Sequence, residues 1–312
     1  MTDIDEFYKR EYGCVINTAI DKYLYIMLNN RLDDKVRLVY SKLEEVQDIR
    51  TLKHPYVRQC LLDISLLKGK EIVISSDIPA KGSGLGSSSS TVVGLIQILN
   101  EMNGVALSKH QLASSAYKIE HDSLRYQGGK QDQYATTFGN LNYIQFNTEG
   151  NVAIEPIKIS DQNKRKLEDS LILFYTGIQR DSKLLSERIT KKIPDKLSEL
   201  RTLKDQVKYM KIKMESSHFD VENFGKELTM EWNVKKQIVD STTPLIDKIF
   251  RIGIEAGAYG GKLCGGGKGG FIMFCCDSCE KDKLRTSLPN LRSLDIKFDV
   301  NGSQILYNSI GG

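Results

Sequence analysis

Short apolar runs rich in β-branched and aromatic residues alternate with longer amphipathic stretches along this chain of 312 residues. Short apolar runs indicate strands, and apolar positions at helical spacing indicate helices. In the first part of the chain, this pattern predicts strands at Cys14–Thr18, Tyr23–Leu28, Val36–Tyr40, Glu71–Asp77 and Asn140–Phe146. It predicts helices at Tyr56–Leu67, Thr91–Glu101 and Ser108–Leu124. The last of these helices begins with Ser108 and Gln111 at the spacing of a capping box.

A strongly polar stretch, Asp161–Lys166, indicates a boundary near residue 165. Beyond it, the pattern predicts a buried strand at Leu171–Tyr175 and long helices from Ser182 to Ala258, interrupted near Pro194, Ser216 and Pro244. Shorter elements follow, which are strands at Phe271–Cys276, Leu294–Val300 and Gln304–Tyr307 and a helix at Lys281–Ser287. This mixture of strands and helices predicts an α+β protein with two domains, residues 1–165 and 166–312.

Composition and charge narrow the class of protein. With 40% hydrophobic and 27% charged residues, the chain has the composition of a globular protein in water. Its net charge of +4 is too small to indicate nucleic-acid binding, but it suits a small anionic substrate. No apolar run approaches a membrane span and the polar start Met1–Glu6 is unlike a signal peptide, so we expect a cytoplasmic protein with no membrane partner. The six cysteines include one CxxC pair, Cys276 and Cys279, but no second pair or nearby histidine completes a zinc site, which favours free thiols.

The most informative segment is Pro79–Ser90, Pro-Ala-Lys-Gly-Ser-Gly-Leu-Gly-Ser-Ser-Ser-Ser, which joins a predicted strand directly to a predicted helix. The first N–H groups of a helix lack partners within it, and the helix dipole adds partial positive charge there. Glycine lets backbone approach a ligand closely, and serine adds hydroxyl groups. The segment therefore predicts a cradle for an anion, most suitably phosphate. A flexible linker is the alternative, but linkers separate domains rather than join a strand to a helix.

A second glycine cluster, Gly265–Gly270, has the GxGxxG spacing but leads into Phe271–Phe274, which predicts a strand. The dinucleotide-binding fingerprint requires a helix after its glycines, so we reject it. We also reject a Walker A loop, because no Gly-Lys pair in the chain is followed by Ser or Thr. Two interpretations of the cluster stay open: a turn packed near the first loop, or a glycine-rich hairpin or strand start with no ligand role.

Together these segments resemble the signatures of a known enzyme family. Gly84–Ser88 resembles the second signature of the GHMP kinases, the group of galactokinase, homoserine kinase, mevalonate kinase and phosphomevalonate kinase, and Gly265–Gly270 resembles the third. The branch acting on D-glycero-D-manno-heptose 7-phosphate is the most similar, on the segments Asp3–Tyr8, Asn17–Asp21, Ser87–Ser90, Tyr117–His121, Gly128–Tyr134 and Leu173–Gly177. The resemblance implies the two-domain GHMP kinase fold, with an N-terminal domain like ribosomal protein S5 domain 2 and a ferredoxin-like C-terminal domain with added helices.

The resemblance also implies an activity. ATP would be the phosphate donor and Mg²⁺ the metal cofactor, in a reaction that depends mostly on positioning and charge stabilisation. The expected acceptor is the anomeric hydroxyl of D-glycero-D-manno-heptose 7-phosphate, for the synthesis of nucleotide-activated heptose. Two alternatives stay open: an unphosphorylated hexose or fucose as acceptor, and a catalytically inactive homologue that only binds ligands. A homodimer is left open as well.

Candidate site residues are carried over from the resemblance, position by position. Asp132 would orient or deprotonate the acceptor hydroxyl, although aspartate after glycine is also common in plain turns. Ser88 and Glu120 would bind Mg²⁺; the alternatives are a helix cap and a solvated glutamate. The residues that would hold ATP are Lys81, Gly82, Ser83, Gly84, Leu85, Gly86, Ser87, Ser88 and Ser89. The residues that would bind the sugar phosphate are Asp3, Lys130, Arg180, Gly265, Gly266 and Gly267.

The start of the chain departs from the family pattern. Family members usually begin with a strand that carries an arginine, followed by a glycine-rich turn before a Thr-Asp pair, whereas this sequence begins almost at that pair, Thr2–Asp3. We therefore expect the first strand of the N-terminal domain to be missing, which would expose a sheet edge. His121, next to Glu120, is expected to have a structural role.

Overall fold

A computed structural model describes residues 1–66, 68–79, 82–179 and 182–308, and none of the helices in these ranges is both long and apolar enough to cross a membrane. Its strands are β1 (Gly13–Ile20), β2 (Leu24–Asn30), β3 (Val36–Val39), β4 (Leu43–Val46), β5 (Lys70–Ser76), β6 (Leu141–Phe146), β7 (Val152–Pro156), β8 (Leu171–Tyr175), β9 (Gly260–Leu263), β10 (Phe271–Cys275), β11 (Arg292–Asp295) and β12 (Phe298–Asp299). Its α-helices are α1 (Asp5–Tyr8), α2 (Pro55–Asp63), α3 (Ser87–Met102), α4 (Lys109–Lys118), α5 (Gln131–Phe138), α6 (Asp161–Ser170), α7 (Ser182–Lys192), α8 (Leu197–Glu215), α9 (Val221–Ile238), α10 (Pro244–Glu255) and α11 (Lys281–Ser287). A π-helical turn spans Ile119–Ser123, and short 3-10 helices span Ile49–Thr51, Ile193–Asp195 and Ser278–Glu280.

One sheet of the first half has the strand order β2-β5-β3-β4, in which β5 pairs antiparallel with β2 and parallel with β3. Alternate side chains on its strands, such as Val36, Leu38 and Ile72, are fully buried in a core shared with α2 and α3. Strands that have one buried face produce this alternation. The shared core fixes where β5 ends and α3 begins.

A second sheet has the order β12-β1-β6-β7, and all its neighbouring strands are antiparallel. Strand β12 pairs with Ala19 and Ile20 at the end of β1, so the chain returns to the first half near its C-terminal end. Helix α8 packs on the start of β1, where Cys14 Sγ contacts the carbonyl of Lys204 at 3.7 Å. The missing family strand and the division at residue 165 stay predictions.

The third sheet, from the second half, has the antiparallel order β11-β8-β10-β9. Phe174 and Phe274 are fully buried in the core that it shares with α9 and α10, where Trp232 stacks on Phe250 with ring centroids 6.2 Å apart. Aromatic side chains supply large buried areas, so this core holds β8 and β10 firmly. The first residue of β10, Phe271, is thereby fixed beside the segment that precedes α3.

Most predicted elements are confirmed, including the capping box of Ser108 and Gln111. Three predictions are wrong. The helix predicted to Leu67 ends at Asp63, where the chain turns through Ser65 with φ of 58°. The run 294–300 is divided between β11 and β12, and the run 304–307 has no regular structure. The strands β4, β7 and β9 and the helices α1 and α6 were missed, because short elements carry little periodic signal.

Candidate active site

The segment between β5 and α3 bends through left-handed glycines, a conformation that residues with a Cβ seldom adopt. Gly82, Gly84 and Gly86 have φ of 70°, 79° and 71°, and we call Gly82–Gly86 the phosphate loop. Gly86 is the N-cap residue of α3. Because glycine has no side chain, Gly86 makes no side-chain capping hydrogen bond to the first turn of this helix. The first turn of α3 therefore keeps backbone donors that suit an anion.

Ser83 anchors the phosphate loop. Its side chain is 2% exposed, and its Oγ lies 2.9 Å from Ser87 Oγ and accepts a hydrogen bond from Leu85 N at 3.3 Å. Its carbonyl accepts a hydrogen bond from Phe271 N at 2.9 Å. A Cβ built on Gly270 would lie 2.3 Å from the same carbonyl oxygen. The second glycine cluster therefore packs against the phosphate loop and also leads directly into β10, and a ligand role for it stays a prediction.

The rest of this second glycine loop, Gly265–Gly270, faces its own domain. The carbonyl of Gly265 accepts a hydrogen bond from Lys235 Nζ. Gly267 is buried, and a Cβ built on it would lie 2.7 Å from Ser241 Cβ. Gly266, between them, is partly exposed. The loop thus touches the phosphate loop through its last residues, and the predicted contact of Gly265, Gly266 and Gly267 with substrate stays a prediction.

Glu120 is a buried carboxylate, 1% exposed, between α3 and α5. Its Oε2 accepts hydrogen bonds from Ser89 Oγ at 2.8 Å and Gln133 Nε2 at 2.5 Å. Its Oε1 has no hydrogen-bond partner among the described residues. Burial, with a smaller contribution from the negative charge of nearby Asp132, raises the pKa of Glu120 to about 7. A buried carboxylate with one oxygen left over fits a hard cation such as Mg²⁺, which takes oxygen ligands.

A widened turn places Glu120 in this position. The π-helical turn Ile119–Ser123 follows α4 directly, and such turns are rare and occur often at functional sites. Leu124 N donates to Ile119 O at 3.0 Å and closes the turn. Glu120 faces the interior while His121 is 34% and Asp122 67% exposed. The turn therefore separates a buried carboxylate from two partly solvated neighbours.

Asp132 lies in the first turn of α5, beside the first turn of α3. A Cβ built on Gly86 would lie 3.5 Å from Asp132 Cγ and 3.6 Å from its Oδ2. One helical turn further, Ser90 Oγ lies 3.1 Å from Thr136 Oγ1. Because both contacts join residues 46 positions apart, α3 and α5 run side by side in the same direction. Two helix N-termini and the Asp132 carboxyl group therefore meet where the phosphate loop ends.

Asp3 supports the segment that leads to Asp132. The side chain is 2% exposed, and Asp3 Oδ2 accepts a hydrogen bond from Gln131 N at 3.2 Å. The Asp3 carbonyl accepts another from Lys130 N at 3.3 Å. A Cβ built on Gly129 would lie 1.8 Å from Asp3 Oδ2, so any larger residue there would displace the Asp3 carboxylate. Asp3 thus lies beside the predicted acceptor site, and its contact with a sugar stays a prediction.

Lys130 has partners inside the protein. Its Nζ lies 4.6 Å from the ring centroid of Tyr8 and 5.0 Å from that of Tyr117. It also donates to the Gly150 carbonyl at 3.3 Å. Burial lowers the pKa of Lys130, and the two rings offset part of the cost of burying its charge. This placement gives no support to the predicted contact with a sugar phosphate.

Two further predicted residues, Lys81 and Arg180, lie outside the described residues. Sequence reasoning missed Gln133 as a partner of Glu120, although Gln133 directly follows Asp132 in the segment singled out by the resemblance. It also missed a pocket of about 250 Å³ between the start of the chain and the loop after the π-helical turn.

Comparison with known proteins decides the family. The model of the GHMP kinases N terminal domain matches residues 50–140, and that of the GHMP kinases C terminal domain matches residues 214–291. The chain belongs to the GHMP kinases. It is 31% identical to D-glycero-alpha-D-manno-heptose 7-phosphate kinase of Campylobacter jejuni, over 92% of this chain and 88% of that protein. It is 28% identical to galactokinase of Pyrococcus furiosus, over 88% of this chain and 85% of that protein.

The fold agrees with this family. A solved structure, a D-glycero-D-manno-heptose 1-phosphate kinase from Bacteroides thetaiotaomicron, matches with a TM-score of 0.76 and 24% identity, over 98% of this chain and 95% of that one. The predicted α+β class, the family and the sugar kinase activity are confirmed. GHMP kinases use ATP as phosphate donor, generally with a divalent metal. The roles of individual residues stay predictions.

Proposed function

We propose that this GHMP kinase transfers the γ-phosphoryl group of ATP to the anomeric hydroxyl of D-glycero-D-manno-heptose 7-phosphate in the cytoplasm, toward nucleotide-activated heptose. The 31% identical relative from Campylobacter jejuni carries this substrate in its name. The observation on which the proposal depends is the position of Asp132, whose carboxyl group lies against Gly86 at the first turn of α3. A carboxylate there can reach an acceptor hydroxyl beside the terminal phosphate of a bound nucleotide.

In this proposal the phosphate loop and the start of α3 bind ATP, and Asp132 acts on the acceptor hydroxyl. Backbone N–H groups of Gly82–Ser88 hold the triphosphate, and the contact of Gly270 and Phe271 with the phosphate loop keeps it in place. The acceptor oxygen bonds to the γ-phosphorus while the bond from that phosphorus to the ADP oxygen breaks. Asp132 aligns the acceptor hydroxyl and takes its proton.

Glu120 and Ser88 would hold Mg²⁺, and Oε1 of Glu120 is the oxygen left over for it. When bound, the cation neutralises charge on the phosphate oxygens of ATP. Ser89 and Gln133 bond Oε2 of the same carboxylate and so fix its orientation. Removing a residue that orients a metal ligand in this way typically lowers the metal affinity by about 10- to 100-fold.

The first experiment incubates the purified protein with ATP and D-glycero-D-manno-heptose 7-phosphate. ADP release measures turnover, and ³¹P NMR should show a new anomeric phosphate while the 7-phosphate resonance stays. The Asp132→Asn variant should keep its affinity for ATP and lose about 10²- to 10⁴-fold in kcat, because it cannot accept the proton. Turnover by this variant equal to that of the wild type would remove Asp132 from the mechanism.

An unphosphorylated sugar is the second candidate acceptor. The Pyrococcus furiosus galactokinase supports it, as does L-fucokinase/L-fucose-1-P guanylyltransferase of Bacteroides fragilis, 31% identical over 76% of this chain and 26% of that protein. Matched sugars with and without a terminal phosphate separate the candidates. A kcat/KM that ignores this phosphate would favour the second one. Binding of ATP and sugar by calorimetry without turnover would instead favour an inactive homologue.

A further inference from the structure

The pocket of about 250 Å³ beside α1 has a mixed polar lining. Its main lining residues are Asp5, Glu6, His121, Arg125, Gln127 and Gly128. Carboxylate, imidazole, guanidinium and amide groups together offer both donors and acceptors, as recognition of a phosphorylated polyol requires. Gly128 precedes Asp132 by four residues, so their Cα atoms lie at most about 14 Å apart. The pocket is therefore within reach of an extended sugar phosphate whose other end is at Asp132.

Arg125 is the permanent cation of this pocket. Its φ of 56° lies in the left-handed region, which non-glycine residues seldom adopt and which occurs often at functional sites. Its side chain is exposed, and the described residues supply no hydrogen bond or ion pair to its guanidinium. The charge is thus available to a ligand.

The loop that carries Arg125 is held in place on both sides. Tyr126 N donates to the Glu120 carbonyl at 2.8 Å, which ties the loop to the π-helical turn. Thr190 Oγ1, on α7, donates to the Gln127 carbonyl at 2.9 Å. The Tyr126 ring covers Gly128 so closely that a Cβ there would lie 2.1 Å from it. A pocket fixed in this way loses little conformational freedom when it binds a ligand.

Of the two acidic residues that line the pocket, Asp5 has its charge paired within the protein. Asp5 Oδ2 pairs with Lys9 Nζ at 2.6 Å, and Asp5 Oδ1 accepts a hydrogen bond from the Tyr117 hydroxyl at 2.8 Å. The Tyr117 ring stacks on His121 with centroids 5.0 Å apart, which holds the imidazole at the pocket wall. Glu6 contributes carboxylate oxygens that can accept hydroxyl groups.

We propose that this pocket binds the phosphate-bearing end of the acceptor, with the Arg125 guanidinium on the phosphate and Glu6 on sugar hydroxyls. The inference rests on the proposed function, because it requires a phosphorylated sugar as acceptor. A guanidinium is suited to this task because it presents paired N–H donors to phosphate oxygens. Arg125 is then the residue by which the kinase prefers a sugar phosphate to a plain hexose.

The test compares Arg125→Gly and Arg125→Lys with the wild type. Glycine removes the guanidinium and favours the left-handed backbone, so the fold should be kept. Each protein is assayed on D-glycero-D-manno-heptose 7-phosphate and on the same heptose without phosphate. For Arg125→Gly we expect roughly 10- to 100-fold lower kcat/KM on the phosphorylated sugar, mainly through KM, and less than about 3-fold change on the other. Arg125→Lys should recover part of the loss, because it keeps the charge but not the paired donors.

Arg251→Ala is the matched control, because Arg251 is an exposed arginine on α10 in the other half of the chain. It should match the wild type on both sugars. If the wild type does not phosphorylate heptose 7-phosphate, the proposed function fails and the inference fails with it. If the wild type does and Arg125→Gly equals it, the pocket assignment alone is overturned. An equal loss on both sugars overturns the assignment as well, and the Tm of Arg125→Gly, expected at or above that of the wild type, shows that it is folded.

Discussion

Two glycine-rich loops meet at the candidate active site; both turn through left-handed glycines, but they differ in what lies against them. In the phosphate loop, positive φ angles bend the chain into the start of α3 and leave its first turn open to an anion. In the second glycine loop, Gly265, Gly267 and Gly270 also have positive φ, of 68°, 125° and 92°, and glycine in addition makes room, because the backbone of Gly270 lies directly on the Ser83 carbonyl. The first loop leads into the start of a helix, and the second packs on the first. Glycine content alone therefore does not identify a phosphate site; the element that follows the loop does.

We expect the largest loss of stability and activity from a methyl group added at the contact between the two loops. A Cβ on Gly270 would lie 2.3 Å from Ser83 O and 2.8 Å from Gly82 O, and backbone atoms cannot move aside easily. We expect Gly270→Ala to destabilise the protein by more than about 3 kcal/mol and to abolish turnover. Urea unfolding measures the first effect and ADP release the second. A variant as stable as Gly104→Ala, where no atom lies within 4 Å of the added Cβ, would contradict the close packing.

The next prediction separates the stability cost of a strained backbone from an effect on kcat. Gly86 and Gly104 lie at the two ends of α3 with φ of 71° and 70°. Alanine should therefore cost a similar amount at both, about 1–2 kcal/mol, which thermal unfolding measures. Only Gly86→Ala would disturb the phosphate loop beside Asp132, so its kcat should fall about 100-fold while Gly104→Ala stays near the wild type. Equal kcat values for the two variants would show that the start of α3 is not where the reaction occurs.

The last prediction concerns the pH dependence of stability at the Glu120 carboxylate, which Ser89 of α3 bonds and for which the second glycine loop has no counterpart. Because burial raises the pKa of Glu120 from 4.5 to about 7, the folded, metal-free protein binds a proton there in a range where the unfolded chain does not. The free energy of unfolding contributed by this group therefore falls as the pH rises through that range. Glu120→Gln should abolish this fall and stabilise the metal-free protein at pH 8 by roughly 2 kcal/mol, while it abolishes turnover. Urea unfolding at about pH 5 and pH 8 checks this, and parallel pH profiles for variant and wild type would contradict it.

Local sequence patterns predicted most of the fold but not its long-range pairings. The strand, glycine loop and helix around residues 71–101 follow from short-range signals, and the structure has them in that order. The structure starts α3 at Ser87 rather than Thr91, because the serines form its polar first turn. Pairing of Ala19 with Asp299 joins opposite ends of the chain, and no local signal carries that information.

The candidate site shows the same limit at the level of side chains. Glu120 and Asp132 came from the family resemblance, but the partners of Glu120 depend on how α3 and α5 are rotated about their axes. Lys130 has the charge of a phosphate ligand, and burial between two aromatic rings gives it a different environment. Charge and residue type can be taken from a sequence, whereas the direction of a side chain requires the packed structure.

The π-helical turn Ile119–Ser123 interrupts the regular angular spacing of side chains that α4 sets up. An α-helix rotates by about 100° per residue, so one residue looped into a π turn shifts every later side chain around the axis. Losing a single residue here would give a more regular helix and would swing the Glu120 carboxylate off the start of α3. In the proposed role of Glu120 as a metal ligand, such a loss would remove activity, so we expect insertions and deletions among related kinases to avoid this turn.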